Sequence, residues 1–377
     1  MEWLKKLFEM ILQWLGIREI PPPASPEPKA NGEADDEEGD GRVTIDPDRD
    51  PTPSGTVEDT LLGGEVKEDA VTGRPELKKG DKGELVEELQ RLLNKNGCGI
   101  GVDGDFGGRT MRAVMDLDQS YGNPEDGVAD EATWEVLDRP PFAAMQDLAP
   151  VSLTPNTPVE GKSGLAKAWN SYGGLLEELA NILGFAPAAA VAVLCAESSG
   201  DGFGPDGKMK IRFENHVFYS RWGKKNPEKF DEHFKFDSEQ KWKGHYWRSS
   251  KDLPWEKLHT RSLGQKGEWA VLGFAMTLDQ EAALDSISMG APQVMGFNSE
   301  KVGYATAKEM FTAWKMGDRE QIVGLFDFIR SSHKMVRALR EKDYEAFAYR
   351  YNGSGKAKHY GEIIEGYVED AQGMGIP

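Results

Sequence analysis

Residues 187–204 read PAAAVAVLCAESSGDGFG, apolar at every position from Ala188 to Ala196 and punctuated by Glu197 and Gly200. Proline at the start suits the first turn of a helix, and Gly200 supplies a stop. A helix that is apolar all round is buried, yet this one delivers a single carboxylate, Glu197, at its C-terminal end. Desolvation and the negative end of the helix dipole both raise the pKa of a carboxyl placed there. At the edge of a cleft, such an acid is suited to donate a proton, while the run by itself fits equally a solvated residue at the helix end, and both readings stay open here. Cys195, two residues earlier, reads as a small apolar filler.

The half of the chain around this run differs from the half before it. Residues 1–164 hold 35 acids and 17 bases, whereas residues 165–377 hold 29 and 28. The net charge of −19 therefore sits almost wholly in the front half, together with none of the six histidines. An acidic chain is a poor general binder of nucleic acid, because phosphate neutralisation needs Lys and Arg in excess. Two cysteines, Cys98 and Cys195, are too few for a disulfide scaffold or a Cys-based zinc cluster. The histidines show no metal-ligand spacing such as His-Glu-x-x-His, so neither a metal nor another cofactor is expected.

Composition marks the boundaries. Residues 1–20 place Trp3, Leu4, Leu7, Phe8, Ile11, Leu12 and Leu15 at helical spacing. With no apolar run longer than three residues, this is an amphipathic helix rather than a signal-peptide core or a membrane span. Two readings stay open for it: contact with a membrane surface or partner, and packing on its own protein. Residues 21–75 form an acidic, proline-rich linker with too few apolar groups to order itself. Residues 76–139 read as a small helical domain, and residues 140–164, with five prolines between Pro140 and Pro158, as a second linker. The last segment runs unbroken over residues 165–377.

In the small domain, Leu85, Val86, Leu89, Leu92 and Leu93 predict one helix, with Asp81 its expected cap. Further helices are expected from near Thr110 and through Trp134 and Leu137. Asp103-Gly-Asp-Phe-Gly-Gly-Arg-Thr110 and Asp126-Gly-Val-Ala-Asp-Glu-Ala-Thr133 echo one another, each setting an Asp-Gly turn seven residues before a threonine. This pattern, with Leu77, Gly80, Gly83, Gln90, Gly97, Phe106-Gly107, Ala113-Val114 and Trp134, resembles the bacterial peptidoglycan-binding domain, a three-helix cell-wall module. The resemblance covers about sixty residues. The family's usual Phe-Gln in the second helix appears here as Leu117-Asp118.

Three segments of the last domain line up in order: Glu197-Ser198, Gly290-Ala-Pro-Gln293, and Tyr351-Asn352-Gly353. That ordered triple resembles the lysozyme-fold superfamily of lytic transglycosylases and goose-type lysozymes. Arg212-Phe-Glu-Asn-His-Val-Phe218, Gly290–Asn298 with Val302-Gly-Tyr304, and Phe347–Gly353 sharpen it. Together they resemble the N-acetylmuramidase domain of modular phage endolysins, over residues 165–377. Members of that family tend to have Ser-Trp-Gly where this chain has Ser288-Met289-Gly290.

The resemblance implies a mainly α protein: a three-helix peptidoglycan-binding bundle followed by a lysozyme-like, predominantly helical catalytic domain. It implies hydrolysis of the β-1,4 bond between N-acetylmuramic acid and N-acetylglucosamine, with Glu197 as the catalytic acid. Gln293, Tyr351 and Asn352 would hold substrate. A second carboxylate, if one acts, is open among Asp201, Asp206 and Glu214. For Glu214 and His216 a structural pair and a catalytic role stand side by side. Peptidoglycan glycan strands are the expected partner of a monomer, without nucleic acid. The place expected is the host bacterial cytoplasm before release to the wall, with virion association an alternative. Two other functions stay open: a lytic transglycosylase forming 1,6-anhydro ends, and a non-catalytic wall-binding virion protein. Between Phe203 and Trp255 the chain is dense in aromatics, of which two or three are expected to contact glycan.

Overall fold

The leucine spacing of residues 85–93 produces helix α1 (Glu84–Lys95) in the computed structural model, which describes residues 74–144, 153–198, 200–241, 243–355 and 357–377. The expected helix over 1–20 and most of the 21–75 segment lie outside the described residues. Helix α1 starts after Gly83 without a side-chain cap. Asp81, the expected cap, instead accepts the Lys78 N–H at 2.8 Å and closes the turn before the helix. Helices α2 (Gly108–Tyr121) and α3 (Glu131–Asp138) complete the bundle around Val86, Leu89, Leu93, Phe106, Val114, Leu117 and Trp134, all buried. Asp130 caps α3 by accepting the Thr133 N–H at 3.1 Å.

Both Asp-Gly turns form. Asp103 and Asp126 accept the N–H groups two residues on, at 3.0 and 2.9 Å. Gly104 and Gly127 then take left-handed φ values of +67° and +76°, which favour glycine. Buried Gln90 fastens the first turn: its Oε1 accepts from Asp103 and Gly104 N–H, and its Nε2 donates to Asp103, the Asp105 carbonyl and Thr110. Asp118, at the position of the family's glutamine, is buried and accepts the Thr133 hydroxyl at 3.0 Å. Burial pushes its carboxyl up to about 7.

The segment read as a second linker is fixed to its neighbours wherever it is described. Asn170 exchanges two 2.8 Å hydrogen bonds with Val159, and Trp169 Nε1 donates to the Thr157 carbonyl at 3.1 Å. Both side chains belong to α4 (Gly164–Leu183), capped by Ser163. Proline-rich chain has few amides to offer a ladder, so side chains of a neighbouring helix satisfy its carbonyls instead. Helix α5 (Pro187–Ser198) follows, packed on α4.

Among the described residues, one compact unit comprises those of 74–200, 301–303 and 322–377, and the other those of 201–300 and 304–321. In the second of these, β1 (Ile211–Phe213) leads into α6 (Asn215–Arg221) and α7 (Pro227–His233). Short strands β2 (Phe234–Lys235), β3 (Tyr246–Trp247) and β4 (Glu256–Lys257) form an antiparallel sheet in that order. Helices α8 (Gly264–Leu278) and α9 (Gln280–Asp285) precede β5 (Ile287–Met289) and β6 (Val294–Met295). Strand β5 pairs antiparallel with β1, Arg212 opposite Ser288, and with β6, Ser288 opposite Met295. Helix α10 (Ala307–Trp314) ends the unit's regular structure before α11 (Asp318–Arg330).

In the first unit, α12 (His333–Arg340), α13 (Tyr344–Tyr351) and α14 (Ala357–Gly373) complete the fold, with α14 lying against α5 and α13. Helix α12 packs on α2 of the bundle. The His333 N–H donates to the Asn96 carbonyl at 3.0 Å, its Nδ1 lies 3.0 Å from Ser120 Oγ, and Arg340 donates to the Tyr121 carbonyl at 3.0 Å. Arg337 donates to the Gln119 side chain. Just beyond the bundle, Asp327 accepts the Phe142 and Ala143 N–H groups at 2.7 and 2.9 Å, and Arg330 donates to the Arg139 carbonyl at 2.7 Å. The bundle is thus held by polar contacts to α11 and α12. Among the described residues no single helix is long and apolar enough to cross a membrane.

Candidate active site

Helix α5 is buried along its length, from Ala188 to Cys195, because no position carries a polar side chain before Glu197. Gly200 follows at φ +79°, where a β-carbon would come within 2.8 Å of Ala168 Cβ, so both the turn and the close approach require glycine. The result is a carboxyl that is 3% exposed at the end of an apolar rod.

Asn352, from elsewhere in the unit, reaches it. Asn352 Nδ2 donates a 2.7 Å hydrogen bond to Glu197 Oε1. Asn352 sits where α13 ends and Gly353 turns the chain at φ +89°. Its own Oδ1 is buried and accepts no hydrogen bond among the described residues. Tyr351, the residue before, stacks on Phe347 with centroids 5.3 Å apart and meets Phe328 edge-on at the same distance. Burial, and after it the charge of Glu197, raises the Tyr351 hydroxyl well above its ordinary range, so it remains a neutral phenol. The structure therefore brings Glu197, Tyr351 and Asn352 together.

The remaining residues singled out by sequence belong to the other compact unit. Gln293 lies in the tight turn between β5 and β6 at the left-handed φ of +50°. Its Oε1 accepts from Ser288 Oγ at 3.0 Å, and its Nε2 donates to the Gly290 carbonyl at 2.7 Å. A non-glycine residue in that conformation is strained, and both hydrogen bonds hold it there. Gln321 braces the same turn, accepting the Ala291 N–H at 2.7 Å and donating to the Trp314 carbonyl at 2.9 Å. Nothing in the sequence pattern set Gln321 apart from a solvent-facing helix residue. Asp201 and Asp206 are exposed turn residues, accepting the N–H of Phe203 and Lys208 at 3.0 and 3.1 Å.

Glu214 is 1% exposed and is not a solvent-facing carboxylate. Arg212 Nε donates to its Oε1 at 2.8 Å, and His216 Nδ1 and His245 Nδ1 each lie 3.5 Å from its Oε2. Burial alone would raise this carboxyl, but Arg212 and then the histidines outweigh it and hold it at about 2. These three side chains could hold a metal ion. Sequence spacing did not show the grouping, because His245 comes from a separate segment ahead of β3. Of the aromatics between Phe203 and Trp255, Phe213, Phe218, Phe230 and Phe234 form a buried ring cluster. Phe203, Tyr219, Phe236, Tyr246 and Trp255 keep partial exposure, with Lys235 and Arg248 over the Trp255 ring at 4.0 and 4.3 Å.

Residues 186–372, from the start of α5 almost to the end of α14, match the family described as N-acetylmuramidase. The C-terminal domain belongs to the N-acetylmuramidase family. Ahead of the muramidase domain, residues 82–137 match the family described as "Putative peptidoglycan binding domain", so the wall-binding bundle precedes the catalytic domain in the chain. The muramidase is a glycoside hydrolase that acts on peptidoglycan. An uncharacterized protein in the bpoA1 3′ region of Kitasatospora aureofaciens is 34% identical over 82 residues, 21% of this chain and 67% of that protein. The crystal structure of Burkholderia AP3 phage endolysin is 27% identical with a TM-score of 0.43, covering 79% of this chain and 99% of that one.

Proposed function

We propose that the muramidase cleaves the β-1,4 bond between N-acetylmuramic acid and N-acetylglucosamine, with Glu197 as the general acid, and that it serves bacterial cell lysis. The observation that carries this reading is the Glu197–Asn352 hydrogen bond at the end of a buried apolar helix. The carboxyl held by Asn352 would supply the proton to the glycosidic oxygen. Protonation of that oxygen lets the C1–O bond break as the sugar ring takes on oxocarbenium character. The Tyr351 phenol keeps its proton and remains able to donate. Asn352 Oδ1 has an unused lone pair for an N–H or O–H of the glycan. The three-helix bundle would raise the local concentration of substrate by holding the enzyme on the wall.

A dye-release assay on labelled sacculi, run with Glu197→Gln, tests the assignment. The variant is isosteric and cannot donate a carboxylic proton, so release should fall about 10³-fold or more while sedimentation with sacculi is unchanged. Release at the unmodified rate would refute the role of Glu197.

A further inference from the structure

Glu214, His216 and His245 are 1%, 5% and 2% exposed, and the proposed cleavage does not use them. Their arrangement contains an electrostatic conflict. His245 Nε2 lies 2.8 Å from the Lys241 carbonyl, which can only accept, so Nε2 carries the hydrogen. Nδ1 then presents a lone pair, toward which the Asn215 N–H points at a long 3.3 Å. That lone pair faces Glu214 Oε2 at 3.5 Å. Oε2 is itself buried and accepts no hydrogen bond among the described residues. A lone pair that takes only this long bond thus faces a bare carboxylate oxygen in a low-dielectric interior, an arrangement that calls for a positive centre between them.

The spacing specifies what kind of centre. A hydrogen bond would draw these atoms to about 2.8 Å, whereas His216 Nδ1 and His245 Nδ1 both stand 3.5 Å from Oε2. Ligands bonded at about 2.0–2.1 Å to a tetrahedral ion are separated by roughly 3.4 Å. The donor atoms of all three residues lie within 4.8 Å of one another. Two imidazoles and one carboxylate suit zinc among the divalent ions. We infer that Glu214, His216 and His245 form a structural zinc site. Outer contacts are in place: the Lys241 carbonyl fixes the His245 tautomer, and Arg212 orients the carboxylate through Oε1. Glu268, whose carboxyl burial pushes up to about 7, can ionise to balance the added charge. Closed from solvent, the ion would fasten the start of α6 to the segment leading into β3 and would not touch substrate.

The test uses tag-free full-length protein, loaded with zinc, dialysed exhaustively and measured by elemental mass spectrometry. We expect one equivalent of zinc per chain and a lower melting temperature after dipicolinate treatment, restored by zinc. Cobalt in place of zinc should give the intense visible bands of a tetrahedral N/O site, a readout that needs no variant. Glu214→Gln and His245→Gln should each lose the metal. Absence of retained zinc with melting unaffected by chelator would overturn the site, leaving a bridging water or a shared proton in the gap. Equal zinc in both variants and the unmodified protein would overturn it as well.

Discussion

Asn352 Nδ2 donates a 2.7 Å hydrogen bond to Glu197 Oε1, joining the C-terminal ends of α13 and α5 across 155 positions of sequence. Both side chains are buried, so the bond replaces water that neither group can reach. It holds one oxygen of the buried carboxyl in place.

Asn352→Ala should lower turnover by about 10- to 100-fold, the worth of one hydrogen bond to a charged or ionisable group in a buried site. Wall binding and the folded structure should persist, because Asn352 follows the last turn of α13 rather than packing within it. Steady-state hydrolysis of sacculi beside a sedimentation assay checks both parts. Undiminished turnover would mean that Glu197 is positioned by other contacts.

The ring and the hydroxyl of Tyr351 can be tested separately. Tyr351→Phe keeps the ring contacts with Phe347 and Phe328, so denaturant unfolding should shift by less than about 1.5 kcal/mol. Tyr351→Ala should cost about 3–5 kcal/mol through the cavity it opens. If the hydroxyl serves the reaction, the Phe variant will show reduced turnover at near-normal stability.

Gln90 makes five hydrogen bonds that hold the first Asp-Gly turn of the bundle. Gln90→Ala removes the acceptor of the Asp103 and Gly104 N–H groups, at a cost of about 2–4 kcal/mol. Binding to sacculi should weaken while the muramidase still acts on soluble glycan fragments. Loss of both activities together would show that the bundle's stability is shared with the catalytic domain through α12.

His333 gives that contact a pH dependence. Burial, followed by the charge of Lys334, lowers its pKa from 6.5 to about 4. Between those values the unfolded chain binds a proton that the folded chain does not. Stability contributed here is therefore full above pH 6.5 and is lost as the pH falls toward 4. Melting curves from pH 7 to 4 should fall less steeply for His333→Asn than for the unmodified protein. Parallel curves would contradict the buried neutral imidazole.

Residues whose role is fixed by what they are were readable in sequence. An unbroken apolar run has nowhere to go but a core, and so the burial of α5 followed from residues 188–196, whereas that of Glu197 at its end did not. Asp-Gly turns and Asn352-Gly353 were legible because left-handed backbone favours few residue types. Residues whose role depends on a distant partner were not. Asp81 looked like a helix cap, but its carboxylate closes the turn before the helix. His333, Arg337 and Arg340 have the pattern of a solvated helix face and yet dock on α2. His245 acquires meaning only through Glu214, which the β2–β3 region brings to it.

Mass spectrometry of the muropeptides released from purified peptidoglycan, with Glu197→Gln alongside, tests the central claim most directly. The account predicts products ending in reducing N-acetylmuramic acid, which borohydride converts to the alditol, and no release by the variant. Ends lighter by one water and inert to borohydride would contradict hydrolysis. Release by the variant at an undiminished rate would contradict Glu197 as the acid.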